Sequence, residues 1–193
     1  IGAILQVFLA NLDTSYAGIS LGCLILFFFF QSRDVNIDYL TGVLNRRGLD
    51  IKMQEKVKGA LTSGKDFSAV MMDIDNFKEI NDKLGHAEGD RAIKYVADIL
   101  VDTFGAGAVI GRFGGDEFCV IIDGISKKDL AERIYKVHSS LSKVKKRNSW
   151  PSGVDVSCGF QQYDANTAMT AKQFQKTIDN LMYLEKQKHH NYY

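Results

Sequence analysis

An α/β domain behind an apolar N-terminal span is what this chain predicts, and three observations carry the expectation. From Gly48 onward, segments with apolar residues at helical spacing alternate with short runs of strand length. Two of those runs, Ala108 to Arg112 and Phe118 to Ile122, flank Gly114-Gly115 and read as a hairpin. Ahead of the domain, no residue from Thr14 to Ser32 is charged. The 193 residues, 46% hydrophobic and 24% charged, suffice for one sizeable core. Lys and Arg total 24 against 23 acidic residues, a balance that argues against a nucleic-acid surface and for a small or local partner. Cys23, Cys119 and Cys158 are widely spaced, and two lie in strand-like runs, so buried reduced thiols in a reducing compartment are expected.

Tyr16 to Phe30 is almost wholly apolar and approaches the roughly 20 residues that cross a bilayer. A transmembrane helix over about residues 14–32 is therefore expected, with a buried core helix as the alternative. No basic residue precedes the run and no small-residue cleavage site follows it, which disfavours a signal peptide. Ile1 to Leu12 is uncharged too and reads as the tail of an earlier span. The chain is thus expected to be a piece of a larger membrane protein, with residues 1–32 in its membrane region and 33–193 forming one domain. Arg33, Arg46, Arg47 and Lys52 follow the span, and this bias places the domain in the cytoplasm at the inner membrane.

Within the domain, Leu49, Met53, Val57 and Leu61 mark a helix over Gly48 to about Ser63. Phe67 to Ile74 is a nearly continuous apolar run, as in a strand covered on both faces. Its end is charged: Asp73 and Asp75 bracket Ile74, and a buried carboxylate costs free energy unless a cation or donors compensate it. For Asp75 a helix N-cap is the favoured reading, because Asn76 to Leu84 reads as the next helix. That helix N-terminus, with Lys78 beside it, is a natural phosphate cradle. Asn81, His86 and Asp90 surround a Gly85 helix stop where a base or sugar could lie. Taken singly, each reads better as a cap or a surface residue.

Gly89 to Phe104 is an amphipathic helix with Ile93, Val96, Ala97 and Leu100 on one face. After the hairpin, Ser126-Lys127-Lys128-Asp129 opens a helix with a capping box, whose end carries Lys143, Lys145, Lys146 and Arg147 as a solvated basic turn. Trp150 to Gly153 is a turn, Val154 to Gln162 a strand, and Tyr163 to Met169 a loop. Thr170 opens a last helix to about Lys188, near whose end Lys186 reads as a surface charge. In the hairpin itself, Asp116 and Glu117 follow the glycines at once. Adjacent carboxylates there suit a divalent cation, although a solvated acidic turn is the simpler reading of that stretch alone.

Together these pieces resemble one family, the diguanylate cyclases or GGDEF-domain proteins. Asp38-Tyr39-Leu40-Thr41-Gly42-Val43-Leu44-Asn45-Arg46-Arg47-Gly48 looks like its opening motif. The stretch from Asp73 to Asp82, followed by Gly85-His86 and Gly89-Asp90, looks like its nucleotide and metal segment. Arg112 to Phe118 matches its signature, Ser157 and Gly159 a late strand motif, and Asp179 through Tyr183 to Lys186 its last helix. The resemblance implies a central mixed, largely antiparallel sheet wrapped by helices, similar to the palm of nucleotidyl cyclases and polymerases. It implies a homodimer whose facing domains join two GTP into cyclic di-GMP and two pyrophosphates, the 3′-hydroxyl of each GTP attacking the α-phosphorus of the other.

By residue, the resemblance assigns Mg²⁺, with Mn²⁺ as the other candidate ion, to Asp73, the Ile74 carbonyl, Asp116 and Glu117. Asp116 is implied as proton acceptor, and Lys78 as the cation steadying the transition state. The backbone of Asn76, Phe77 and Lys78 would grip phosphates, Asn81, His86 and Asp90 the guanine nucleoside. A carboxylate at Asp90 suits guanine, which offers N1–H and an exocyclic amine together. Lys186 and His190 complete the implied substrate contacts, and His190 stands where the family often has arginine. An Arg-x-x-Asp product site common in the family is replaced by Gly105 and Ala108, so inhibition there should be absent. The alternative to an enzyme is a silent module that binds GTP or cyclic di-GMP, or only dimerises.

Overall fold

The computed structural model of the chain describes residue 2 and residues 16–28, 34–144 and 153–190. It divides into two compact units, Ile1–Asn36 and Ile37–Tyr193. In the first, residues 16–28 form a helix with almost every side chain exposed. Residues 14, 15 and 29–32 of the expected span, and nearly all of the expected earlier one, lie outside the described residues. Among the described residues no helix is long and apolar enough to cross a membrane.

Among its described residues the second unit holds five α-helices and four strands. Helix α1 is Arg46–Ser63, β1 is Phe67–Ile74, α2 is Phe77–Leu84 and α3 is His86–Phe104. Then come β2 Ala108–Arg112, β3 Glu117–Asp123, α4 Lys127–Val144, β4 Val156–Gln162 and α5 Ala171–His190. The sheet order is β2-β3-β1-β4, and all three ladders are antiparallel. This corrects the expected mixed sheet, and the reason is topological. Two helical crossovers make β2 parallel to β1 and β4 parallel to β3, as such connections require. The hairpin then inserts β3 between β1 and β2, and β1 lies between β3 and β4, so no parallel strands touch. The only parallel pairing among the described residues is a single bridge from Leu44 to Gly111.

Both faces of the sheet are covered, which is why β1 is buried at all eight positions. Val70, Met72 and Ile74 point into one core with Ile93, Val96 and Leu100 of α3 and Leu130, Val137 and Leu141 of α4. Phe67, Ala69 and Met71 point into the other, with Leu49 and Met53 of α1 and Phe174, Ile178 and Met182 of α5. Alternation therefore assigns Asp73 to the α5 face, and Glu117, two residues before Cys119 in that same core, to the same side.

Local signals explain the boundaries. Asn45, not Gly48, starts α1, its side chain accepting from the Gly48 N–H at 3.0 Å. Helix α3 begins at His86 rather than Gly89, because Gly85 at φ 85° turns the chain sharply and lets helix follow helix. At the start of α4 the Ser126 hydroxyl accepts from the Asp129 N–H at 3.1 Å and donates to the Asp129 carboxylate at 2.8 Å, a side-chain variant of the expected capping box. β4 starts two residues later than expected, and the loop after it holds a short 3₁₀ turn, Ala165–Thr167. Most of the Trp150–Gly153 turn, and Lys145, Lys146 and Arg147, lie outside the described residues. Cys119 is buried in β3 and Cys158 half-buried in β4, both free, and burial pushes the Cys119 thiol up to about 12.

Candidate active site

Asp73 closes β1 with register partners on both sides, Glu117 of β3 and Ser157 of β4. The adjoining hairpin turn is tightly specified. The Phe113 N–H donates to the Glu117 carbonyl at 2.7 Å, and the Ile74 N–H donates to the Asp116 carbonyl at 3.1 Å. A Cβ on Gly114 would overlap the Glu117 carboxylate, so the first glycine makes room for the acid. Arg112 locks the second: its Nε and Nη2 donate to the Gly115 carbonyl at 3.0 and 2.6 Å. Its Nη1 reaches Asp38 at 3.3 Å, where Asp38 also accepts from the Thr41 N–H and hydroxyl. Arg46 stacks its guanidinium 4.6 Å from the Phe113 ring centroid.

The last helix completes the site because Gly159 lets it. A Cβ there would overlap the backbone nitrogen of Met182 and the carbonyl of Ile178, so α5 rests directly on β4. That close seat brings Lys186 to Asp73, its ammonium donating at 2.5 Å. Lys186 is therefore no surface charge but a half-buried partner of a buried carboxylate. Asp73, Glu117 and Lys186 line one cleft of about 620 Å³ with Asp179, Asn180, Met182, Tyr183 and Gln187 of the same helix. Asp179 has no place in the sequence-level site. A carboxylate one helical turn, and then two, from Tyr183 and Lys186 was the available signal.

Electrostatics sets the site apart from the rest of the domain. Burial raises the Asp73 carboxyl, and the Asp116 and Asp75 charges raise it further against the lowering effect of Lys186. Glu117 is raised too, by burial first and then by Asp73, Asp116 and Asp179. Burial pulls the Lys186 ammonium down, but its hydrogen bond to Asp73 and the nearby carboxylates outweigh that and leave it raised. One cation thus answers several carboxylates. In kind, these hard oxygens fit a divalent ion such as Mg²⁺, which would relieve the surplus negative charge. In position, no three acidic, His or Cys side chains among the described residues form a group that could hold a metal ion, and Asp73 is paired with Lys186.

Asn76, Phe77, Lys78, Asn81, His86 and Asp90 follow the end of β1, and none of them lines this cleft. Asp75 does not cap α2. Its carboxylate accepts from the Ser157 hydroxyl at 2.6 Å, and Asn76 takes the cap position with a left-handed backbone, φ 55° and ψ 28°. Such a conformation costs a non-glycine residue on the order of 1 kcal/mol and persists only where neighbours impose it. Phe77 is half-buried and Lys78 exposed in the first turn of α2. The Asn81 amide oxygen lies against Gly89, where a Cβ would overlap it, while His86 and Asp90 are exposed on the first turns of α3. The structure thus brings Asn81 to the α3 segment that carries His86 and Asp90. The side chain of His190 lies outside the described residues.

Comparison with known proteins gives this arrangement its relatives. Residues 35–192 match the family described as the diguanylate cyclase, GGDEF domain. The probable diguanylate cyclase DgcC of Escherichia coli strain K12 is 35% identical over 122 residues, 63% of this chain and 33% of that protein. Diguanylate cyclase DosC of the same strain is 26% identical over 166 residues, 86% of this chain and 36% of that protein. The chain thus spans about a third of the length of these curated relatives. Among solved structures, the GGDEF domain of DgcB from Caulobacter crescentus, in complex with c-di-GMP, superposes with a TM-score of 0.74. The identity is 25%, with 80% of this chain and 92% of that one covered. With a family match over most of its length, a palm-like antiparallel sheet and Asp73 facing Glu117 beside the signature turn, the chain belongs to the diguanylate cyclase GGDEF-domain family.

Proposed function

We propose that this protein is a diguanylate cyclase that converts two GTP into cyclic di-GMP and two pyrophosphates. The observation that carries the reading is the Asp73–Glu117 register pair, held beside Asp116 and Lys186 in a GGDEF domain. Asp73, Glu117, Asp116 and the Ile74 carbonyl would hold Mg²⁺ or Mn²⁺. When bound, such an ion offsets phosphate charge and lowers the pKa of an attacking hydroxyl.

The chain's own groups do the rest. Asp116 takes the proton from the 3′-hydroxyl as that oxygen bonds to the α-phosphorus of the other GTP and pyrophosphate leaves. A second identical step closes the ring. The α2 N-terminus offers the N–H groups of Asn76, Phe77 and Lys78 to phosphates, and the exposed Lys78 adds a full charge where charge develops. Asn81, His86 and Asp90 select guanine. Lys186 holds Asp73 in place until substrate arrives and then serves the phosphates, as would His190.

One domain carries one set of these groups, yet the product joins two guanosines, so the active form is a homodimer. The apolar N-terminal segment anchors the chain in the inner membrane with the GGDEF domain in the cytoplasm, which raises the local concentration of one domain near another. This organisation is supported by the uncharged run from Thr14 to Ser32 and the basic residues after it. Incubating the full chain with GTP and Mg²⁺ should yield cyclic di-GMP and pyrophosphate in a one-to-two ratio. Specific activity should fall on dilution as dimers separate. GTP bound without turnover would replace this reading with the silent binding module.

A further inference from the structure

The strained turn ahead of α2 is held from a helix that contributes nothing to the cleft. Asn76 has no side-chain cap bond, so its left-handed backbone depends on its neighbours. On the C-terminal side the Glu79 and Ile80 N–H groups donate to its carbonyl at 2.9 and 3.3 Å. On the N-terminal side restraint comes through Asp75. The Asp75 N–H donates to the Asp155 carbonyl at 2.9 Å, and the Asp75 carboxylate accepts from the fully buried Ser157 hydroxyl. Asp155 is itself fastened twice: Oδ1 accepts from the Val156 N–H at 2.9 Å and meets His138 Nδ1 at 2.7 Å. His138 projects from α4, half-buried.

We propose that His138, acting through Asp155, is a positioning residue for the Asp75–Lys78 turn that presents the α2 N-terminus to the substrate phosphates. The proposal rests on the phosphate-gripping role given to that turn above. It follows from the run of contacts from His138 through Asp155 to Asp75: losing the His138 contact removes one of the restraints on Asp155, the residue whose carbonyl accepts from the Asp75 N–H. A different use of the same groups is disfavoured by chemistry. His138 Nε2 lies 3.9 Å from Cys158 Sγ, so cysteine, histidine and aspartate stand in the order of a nucleophilic triad. Burial, and then Asp155, Asp75 and Glu185, push that thiol up, the opposite of an activated nucleophile. The two ring nitrogens also face opposite partners, so no ion is shared among the three. The His138–Asp155 pair, half-buried at the histidine and exposed at the aspartate, adds little to global stability, and its effect belongs in alignment.

The test compares His138→Leu, which removes the contact, with His138→Gln, whose amide can still donate to Asp155, in the full chain. His138→Leu should speed amide hydrogen exchange at residues 75–78 and raise the KM for GTP by about tenfold. That factor corresponds to 1.4 kcal/mol, within reach of one charge-assisted hydrogen bond. kcat should stay within about twofold and the melting temperature should not move, while His138→Gln should recover most of the KM. Should His138→Leu fail to fold, Asp155→Asn is read in the same way. Unchanged exchange at 75–78, an unchanged KM, or equal losses in both His138 variants would each overturn the inference. A wild-type chain that makes no cyclic di-GMP would overturn the proposed function instead, and exchange at the turn would still decide whether His138 holds it.

Discussion

The two ends of β1 are equally buried and chemically opposite. At the amino end Phe67 stacks on Tyr163 with ring centroids 5.0 Å apart and meets Phe174 edge-on at 5.5 Å. The Tyr163 hydroxyl donates to the Met169 carbonyl at 2.6 Å, so even the polar atom there is satisfied. At the carboxyl end, six residues on, Asp73 and Glu117 sit raised and mutually repelling with Lys186 as their shared cation. One strand thus spends apolar burial on stability at one end and tolerates unfavourable charge at the other. The same sheet that makes the domain stable supplies the rigidity that keeps those carboxylates together.

Four substitutions would break or sharpen that contrast. The largest effect is expected from Asp116→Asn, which should cut cyclic di-GMP synthesis by roughly 10²–10⁴-fold while leaving the melting curve intact. A folded variant turning over near the wild-type rate would remove Asp116 from the mechanism. At the other end Phe67→Ala should cost about 3–5 kcal/mol in denaturant unfolding, yet leave activity per folded molecule unchanged. A loss of specific activity at full folding would mean that the two ends are not independent.

Between these lies Gly159→Ala. Its new methyl meets helix backbone rather than a movable side chain, so overpacking should cost about 1–3 kcal/mol. Displacing α5 also carries Lys186 away from Asp73, and folded enzyme should lose on the order of tenfold in rate. Instability without loss of rate would show that Lys186 need not sit where it does.

The smallest effect has the opposite sign. Because burial and neighbouring acids raise the Glu117 carboxyl, its charge is a penalty in the folded state. That penalty is fully present above the folded pKa and absent below the ordinary value of 4.5. Glu117→Gln should therefore stabilise the metal-free protein by about 0.5–1 kcal/mol at pH 8, a gain that fades on acidification. A destabilised Glu117→Gln at pH 8 would show that the carboxylate is satisfied in place.

Much of the site was legible because its residues are consecutive. Gly114, Gly115, Asp116 and Glu117 announce a ligand-binding turn by composition, and the eight residues of β1 match their expected limits because a doubly covered strand has no polar face to blur them. The misreadings share a cause. Asp75 looked like a helix cap because caps are local, whereas its partner, Ser157, lies 82 residues away. Lys186 looked like a surface charge because nothing in its own helix shows that Gly159 admits that helix to the sheet. Asp179, matched only as part of the family's last helix, carries no site role at the sequence level for the same reason.

By itself the sequence determined the elements, the signature turn and the family, since periodicity, glycine placement and short motifs are properties of neighbouring residues. Only the tertiary structure decided the antiparallel order, the Lys186–Asp73 pair and the tie from His138 to the α2 turn. Those depend on which distant segments share a face, and that choice is made by burying both sides of one sheet, which no local stretch of chain encodes.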